Sequence, residues 1–222
     1  MPAAVTTLPM NTLLKITLAL VAVAVLGVLF VRSARNVGAQ PFTIARPDLS
    51  GWRLTIAPAD DPLGSLLSMT PKMELMRPLT RDLFARMGET LHYPPAAMPV
   101  VLRVEFDRAM AGVLTPEGLL ESARAAGIES LPFQPRCMAR QRVSAPGITR
   151  GVYFLLFDLP QLTMFREQLA QQLRAAGGDA ALFEPAALSP VLLAAALDGN
   201  YASWLPLRAD PDVDCFAPVI VE

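Results

Sequence analysis

Histidine, lysine and cysteine are nearly missing from this chain. Among 222 residues there is one histidine, His92, with two lysines, Lys15 and Lys72, and two cysteines, Cys137 and Cys215. So few ligands cannot build a zinc site of ordinary spacing, so no metal and no cofactor are expected. Any Ser-His-Asp or Cys-His mechanism has to pass through His92. It sits in a loop beside Tyr93, Pro94 and Pro95, and neither G-x-S-x-G nor H-E-x-x-H occurs. Charged residues make up only 18% and the net charge is -1, which leaves no global basic field for nucleic acid. Nearly all cations are arginine, a usage that fits the base bias of a GC-rich bacterial genome. No short repeat or low-complexity block appears.

One long apolar run is present, Leu13 to Val31, with Lys15 as its single charge at the entry edge. Nineteen residues rising ~1.5 Å each span roughly 28 Å, against a hydrocarbon core of ~30 Å. The sequence therefore predicts a tail over 1–12, a transmembrane signal-anchor helix over 13–31, a linker over 32–50 and a globular α+β domain over 51–222. Val37 and Ala39 give a V-x-A site of the kind a signal peptidase accepts. The run exceeds a usual signal core, and Arg32 and Arg35 intervene, so the anchor is expected to stay. The signal-like order places the domain outside the cytoplasm, in a periplasm. Arg32, Arg35 and Arg46 after the run fit the cytoplasmic side as well.

The order of elements predicts the fold. Val100 to Phe106 alternates as a strand with Glu105 and Asp107 on one face. Thr115-Pro116-Glu117 opens a helix that Gly127 closes. Arg136 to Val143 and Val152 to Phe157 read as strands around a Pro146-Gly147 turn, the second apolar on both faces. A helix runs from Pro160 to Gly177, with a short strand at Ala180 to Phe183. Pro190 to Leu197 reads as an Ala-rich helix and Cys215 to Val221 as a terminal strand. Phe-Asp closes both inner strands and Arg-Ala-Ala-Gly both helices. This predicts a ferredoxin-like split-βαβ sandwich, core 100–184, with extra elements at both ends.

Candidate chemistry is sparse. Cys137 and Cys215 are candidates for a disulfide in an oxidising compartment. Arg136, Arg140, Arg142 and Arg150 form a basic hairpin, and with Tyr201 and Trp204 they are the candidate interaction patch. Arg150 to Phe157 matches the RNA-binding RNP1 pattern in part. Val152 stands where a stacking aromatic belongs, so no nucleic-acid partner is expected. Asp210, Asp212 and Asp214 start a calcium-loop rhythm that fails at Cys215 and Val221.

Three function classes fit. The first is a non-enzymatic, single-pass accessory or assembly subunit contacting other membrane-protein subunits and the lipid bilayer. The second is a tethered domain for a small ligand or lipid. The third is an exported enzyme using Glu105 and Asp107, or His92.

Overall fold

The computed structural model describes residues 18–27, 40–88, 90–145 and 148–222. The chain divides into two units, 1–40 and 41–222. In the first, the described residues are helical over 18–27. Among the described residues no helix is long and apolar enough to cross a membrane. This corrects the expected single-pass anchor, and the membrane location built on it is not supported. The rest of the 13–31 run, the Val37-x-Ala39 site and the Pro146-Gly147 turn lie outside the described residues.

The second unit holds two sheets. Three strands form an antiparallel meander: β2 (Arg53–Ile56), β3 (Ser65–Thr70) and β4 (Met98–Leu102). Five strands form a larger sheet in the order β1 (Phe42–Ile44), β8 (Cys215–Val221), β5 (Gln134–Ala145), β6 (Ile148–Asp158), β7 (Val191–Ala196). Only β1 and β8 run parallel; the other pairs are antiparallel. β1 falls in the stretch read as a linker.

This is a mixed α/β fold and not the split-βαβ sandwich. That sandwich needs the first strand beside the central one. Instead β4 pairs with β3 in the other sheet. The helix after β6 returns the chain to an antiparallel neighbour, β7, so no βαβ crossover forms. Three local readings also change. Ala180 to Phe183 is not a strand: Ala180–Leu182 is a turn of 3-10 helix, with Asp179 accepting the Ala181 N–H. Val100 to Phe106 is not one strand: β4 stops at Leu102, and helix α2 (Arg103–Ala109) follows at once. Phe106, Ala109 and Met110 bury at helical spacing. The Glu105 carboxylate reaches back to accept the Leu102 N–H at 2.9 Å. The Ala-rich segment expected as a helix is β7, buried at every position. Alanine favours helix, but small side chains also suit a strand covered on both faces, and packing decides.

Helix α1 (Met73–Met87) runs uninterrupted through Pro78. The two remaining predicted helices match the structure. Helix α3 (Pro116–Ala125) is capped by Thr115, whose hydroxyl accepts the Gly118 N–H at 3.1 Å. Gly127 follows at φ 71°, a left-handed position that suits glycine. Helix α4 (Pro160–Ala175) buries Leu162, Phe165, Leu169 and Leu173.

The main core lies between the sheets and helices, joining Leu54, Met69 and Val100 to Tyr153, Leu155 and Phe157. A second layer covers the other face of the large sheet through Ala139, Val152, Phe154 and Leu193, with Tyr201 and Trp204 packed against it. β6 is therefore buried on both faces from Val152 to Phe157.

Candidate functional site

β5 and β6 are longer than the strands that flank them. β8 pairs with β5 only at Cys137, Met138 and Ala139. β7 pairs with β6 from Val152 inward. Beyond these limits the two strands pair only with each other, Arg142 opposite Gly151, Val143 opposite Arg150 and Ser144 opposite Thr149. The result is a two-stranded arm: on the β6 side the Gly151 carbonyl still accepts the Leu197 N–H at 2.9 Å, while past Ala139 β5 has no strand partner on its β8 side. Unpaired edges offer a row of N–H and C=O groups to an incoming strand.

Pleating splits the predicted arginine patch. Residues directly opposite share a face. Arg140 and Arg142 lie on the face continuous with the main core. Arg140 stands over the Phe216 ring at 5.5 Å. Arg142 donates to the Tyr153 hydroxyl at 2.7 Å and stands over that ring. Tyr153 meets Phe216 edge-on, and Phe216 meets Phe42 likewise. Both guanidinium groups lie over aromatic faces, on residues that remain exposed overall.

Arg150 is on the opposite face and is engaged. Its Nε donates to Asp198 at 2.5 Å, its Nη2 donates to the Ser203 hydroxyl, and its guanidinium covers the Trp204 ring at 5.3 Å. Burial alone would raise the Asp198 pKa. The Arg150 hydrogen bond and charge, with the Asn200 N–H, outweigh it and hold the carboxyl below its ordinary range. Burial, with the Asp198 charge, pushes the Tyr201 hydroxyl up. Trp204 thus joins Arg150 alone of the four arginines. Arg136 is exposed near the base of β5, at a register shift.

Cys137 and Cys215 are joined by a disulfide, with Cα atoms 5.8 Å apart and a sequence separation of 78. The bond ties β8 to β5 inside the second layer.

The acid–base candidates are not brought together. Glu105 is buried and its carboxylate is held by Arg166, 2.6 Å from Nη2 to Oε1. Asp107 is exposed on α2, beside a shallow hollow with Arg103 and Arg108. The His92 backbone exchanges both hydrogen bonds with Ala196 at 2.8 Å, and its ring packs beside Gly199. Asp210 caps a short turn of helix, α5 (Pro211–Asp214), by accepting the Asp212 N–H. Asp214 is buried and accepts from Gln141 and from the Asp210 N–H at 2.9 Å. Among the described residues no His, Cys, Asp and Glu side chains cluster as a metal site.

A hollow of about 480 Å³ lies beside Trp52. The Trp52 N–H donates to the Leu49 carbonyl and Glu129 accepts the Leu54 N–H. Sequence reasoning missed Asp198 and Ser203 as partners of Arg150, and Arg166 as the partner of Glu105. Each pair is distant in sequence, so no local pattern connects them. No protein-family model, curated protein or solved structure matches this chain.

Proposed function

We propose that this chain is a non-enzymatic accessory or assembly subunit, and that the β5–β6 arm is its contact with a partner protein. The observation that carries this reading is the overrun of β5 past β8, which leaves the β5 edge beyond Ala139 without a strand partner beside exposed Arg140 and Arg142. Val143, on the other face, is 56% exposed. Arginines at an edge discourage pairing between like copies and favour a strand that carries acids. The partner is thus an acidic protein segment added edge to edge. Of the acid–base candidates, Glu105 is buried and held in an ion pair by Arg166 while Asp107 lies exposed, so the two do not work as a pair.

Photocrosslinking in the native cell tests this. A benzophenone side chain at Val143 is expected to give one discrete adduct that Arg140→Glu removes. The same group at Val213, also exposed, is expected to give none. An adduct unchanged by Arg140→Glu, or no adduct at Val143, defeats the reading.

A further inference from the structure

A groove of about 570 Å³ lies where the outer face of β2 and β3 meets the start of α1. Register puts the sheet's polar side chains there. Thr70 stands opposite Arg53, and Ser68 opposite Thr55. Directly opposed residues share a face, so these four point away from Leu54 and Met69, which enter the core. Ser68 is only 3% exposed, lines the groove, and its hydroxyl has no hydrogen-bond partner among the described residues. A buried hydroxyl without a partner is uncommon and costly. Arg53 is exposed and has no ion-pair partner among the described residues.

The helix adds a further donor set. α1 is 15 residues long and its N-cap, Lys72, supplies no side-chain cap. The first N–H groups of a helix have no acceptor within it and mark the positive end of its dipole. Met73 and Glu74, at this end, line the groove. The Lys72 ammonium is turned to the Pro47 carbonyl and Ser50 hydroxyl, so it contributes field more than contact. Two acids border the same space. Asp61 already accepts the Ser65 N–H at 2.8 Å. Glu74 stands in the first helical turn, where its charge opposes an incoming anion.

We propose that this groove binds the oxyanion head, phosphate or carboxylate, of a small molecule, with Arg53 as the charged anchor and Ser68 as the buried donor. A planar guanidinium, a hydroxyl and an uncapped helix start are complementary to such a group. The volume exceeds that of the head alone, so the ligand carries an organic remainder. The site is separate from the arm and stands whether or not the arm binds a protein.

The test is titration of the full chain with inorganic phosphate, and separately with acetate, at constant ionic strength. Backbone amide shifts of Ser68, Met73 and Glu74 are followed by NMR. Saturable shifts at millimolar or tighter affinity are expected for at least one anion, and the tighter of the two identifies the head group. Arg53→Gln is expected to weaken binding about tenfold or more. Ser68→Ala should weaken it several-fold while the melting temperature holds or rises, because an orphaned hydroxyl is removed. Glu74→Gln should tighten binding. Arg81→Gln, elsewhere on α1 beside Asp82, should change nothing. Shifts that never saturate with either anion, or affinity untouched by Arg53→Gln, overturn the proposal.

Discussion

Arg166 and Glu105 close a buried two-pronged ion pair between α4 and α2, with Nη2 2.6 Å from Oε1 and Nη1 3.2 Å from Oε2. The guanidinium is fully buried, and its remaining N–H groups donate to the carbonyls of Val100, Glu184 and Pro185. It also covers the Phe183 ring at 4.6 Å. One side chain thereby joins the end of β4, the start of α2 and the loop before β7. Removing one partner leaves the other charge buried and alone. Arg166→Met is expected to cost about 3–5 kcal/mol, read from the urea midpoint. Pairing it with Glu105→Leu should cost less than the two single changes added together.

The disulfide closes a long loop. Cys137 and Cys215 are 78 residues apart, and the chain-entropy model values such a closure at about 4–5 kcal/mol. Cys137→Ser with Cys215→Ser, or reductant on the parent chain, should lower stability by up to that amount. A midpoint that reductant does not move would show that the bond carries no stability. Alkylation of the unfolded, unreduced chain should label neither cysteine.

The Asp198 carboxyl titrates below its ordinary range because of Arg150. A depressed folded-state pKa stabilises the fold above the unfolded value, and that contribution disappears as pH falls through the folded one. The stability gap between the parent and Asp198→Asn should therefore be full near neutrality and shrink in acid below the ordinary carboxylate range. The pair is partly exposed, so added salt should narrow the gap as well. A gap that is flat with pH would place the effect elsewhere.

Trp52 is stacked on Phe133 at 4.1 Å between ring centres, with Phe157 edge-on at 5.6 Å. Phe133→Ala should cost about 3–5 kcal/mol and shift Trp52 emission to the red. A Trp204→Phe background isolates that signal.

Loss of the Thr115 cap should be milder. Thr115→Ala removes the acceptor for the Gly118 N–H and is expected to cost about 1 kcal/mol.

Local chemistry was readable where it is self-contained. Thr115-Pro116, Gly127 and the Leu162, Phe165, Leu169, Leu173 stripe each announce a helix boundary or face within a few residues, and the structure places them so. The doubly apolar run Val152 to Phe157 likewise announced a strand covered on both sides. The segment from Val100 to Phe106 reads as one alternating strand, yet the chain turns into helix after Leu102. Burial of Glu105 against Arg166 settles it, and that contact spans 61 residues. The long apolar run near the N-terminus misled: among the described residues no helix is long and apolar enough to cross a membrane.

Caps and local periodicity placed individual helices and the doubly covered strand, and composition left few groups for metal or nucleophile chemistry. Only the tertiary structure decided which strands pair. Strand partners are chosen by shape and burial summed over many distant residues, and β4 joined β2 and β3 while β7 closed on β6. The same pairing split Arg140 and Arg142 from Arg150, because opposite faces of one pleated strand are invisible until register is known. It also set Ser68 beside Arg53 and the head of α1, a neighbourhood assembled across two strands and a helix that no local pattern spells out.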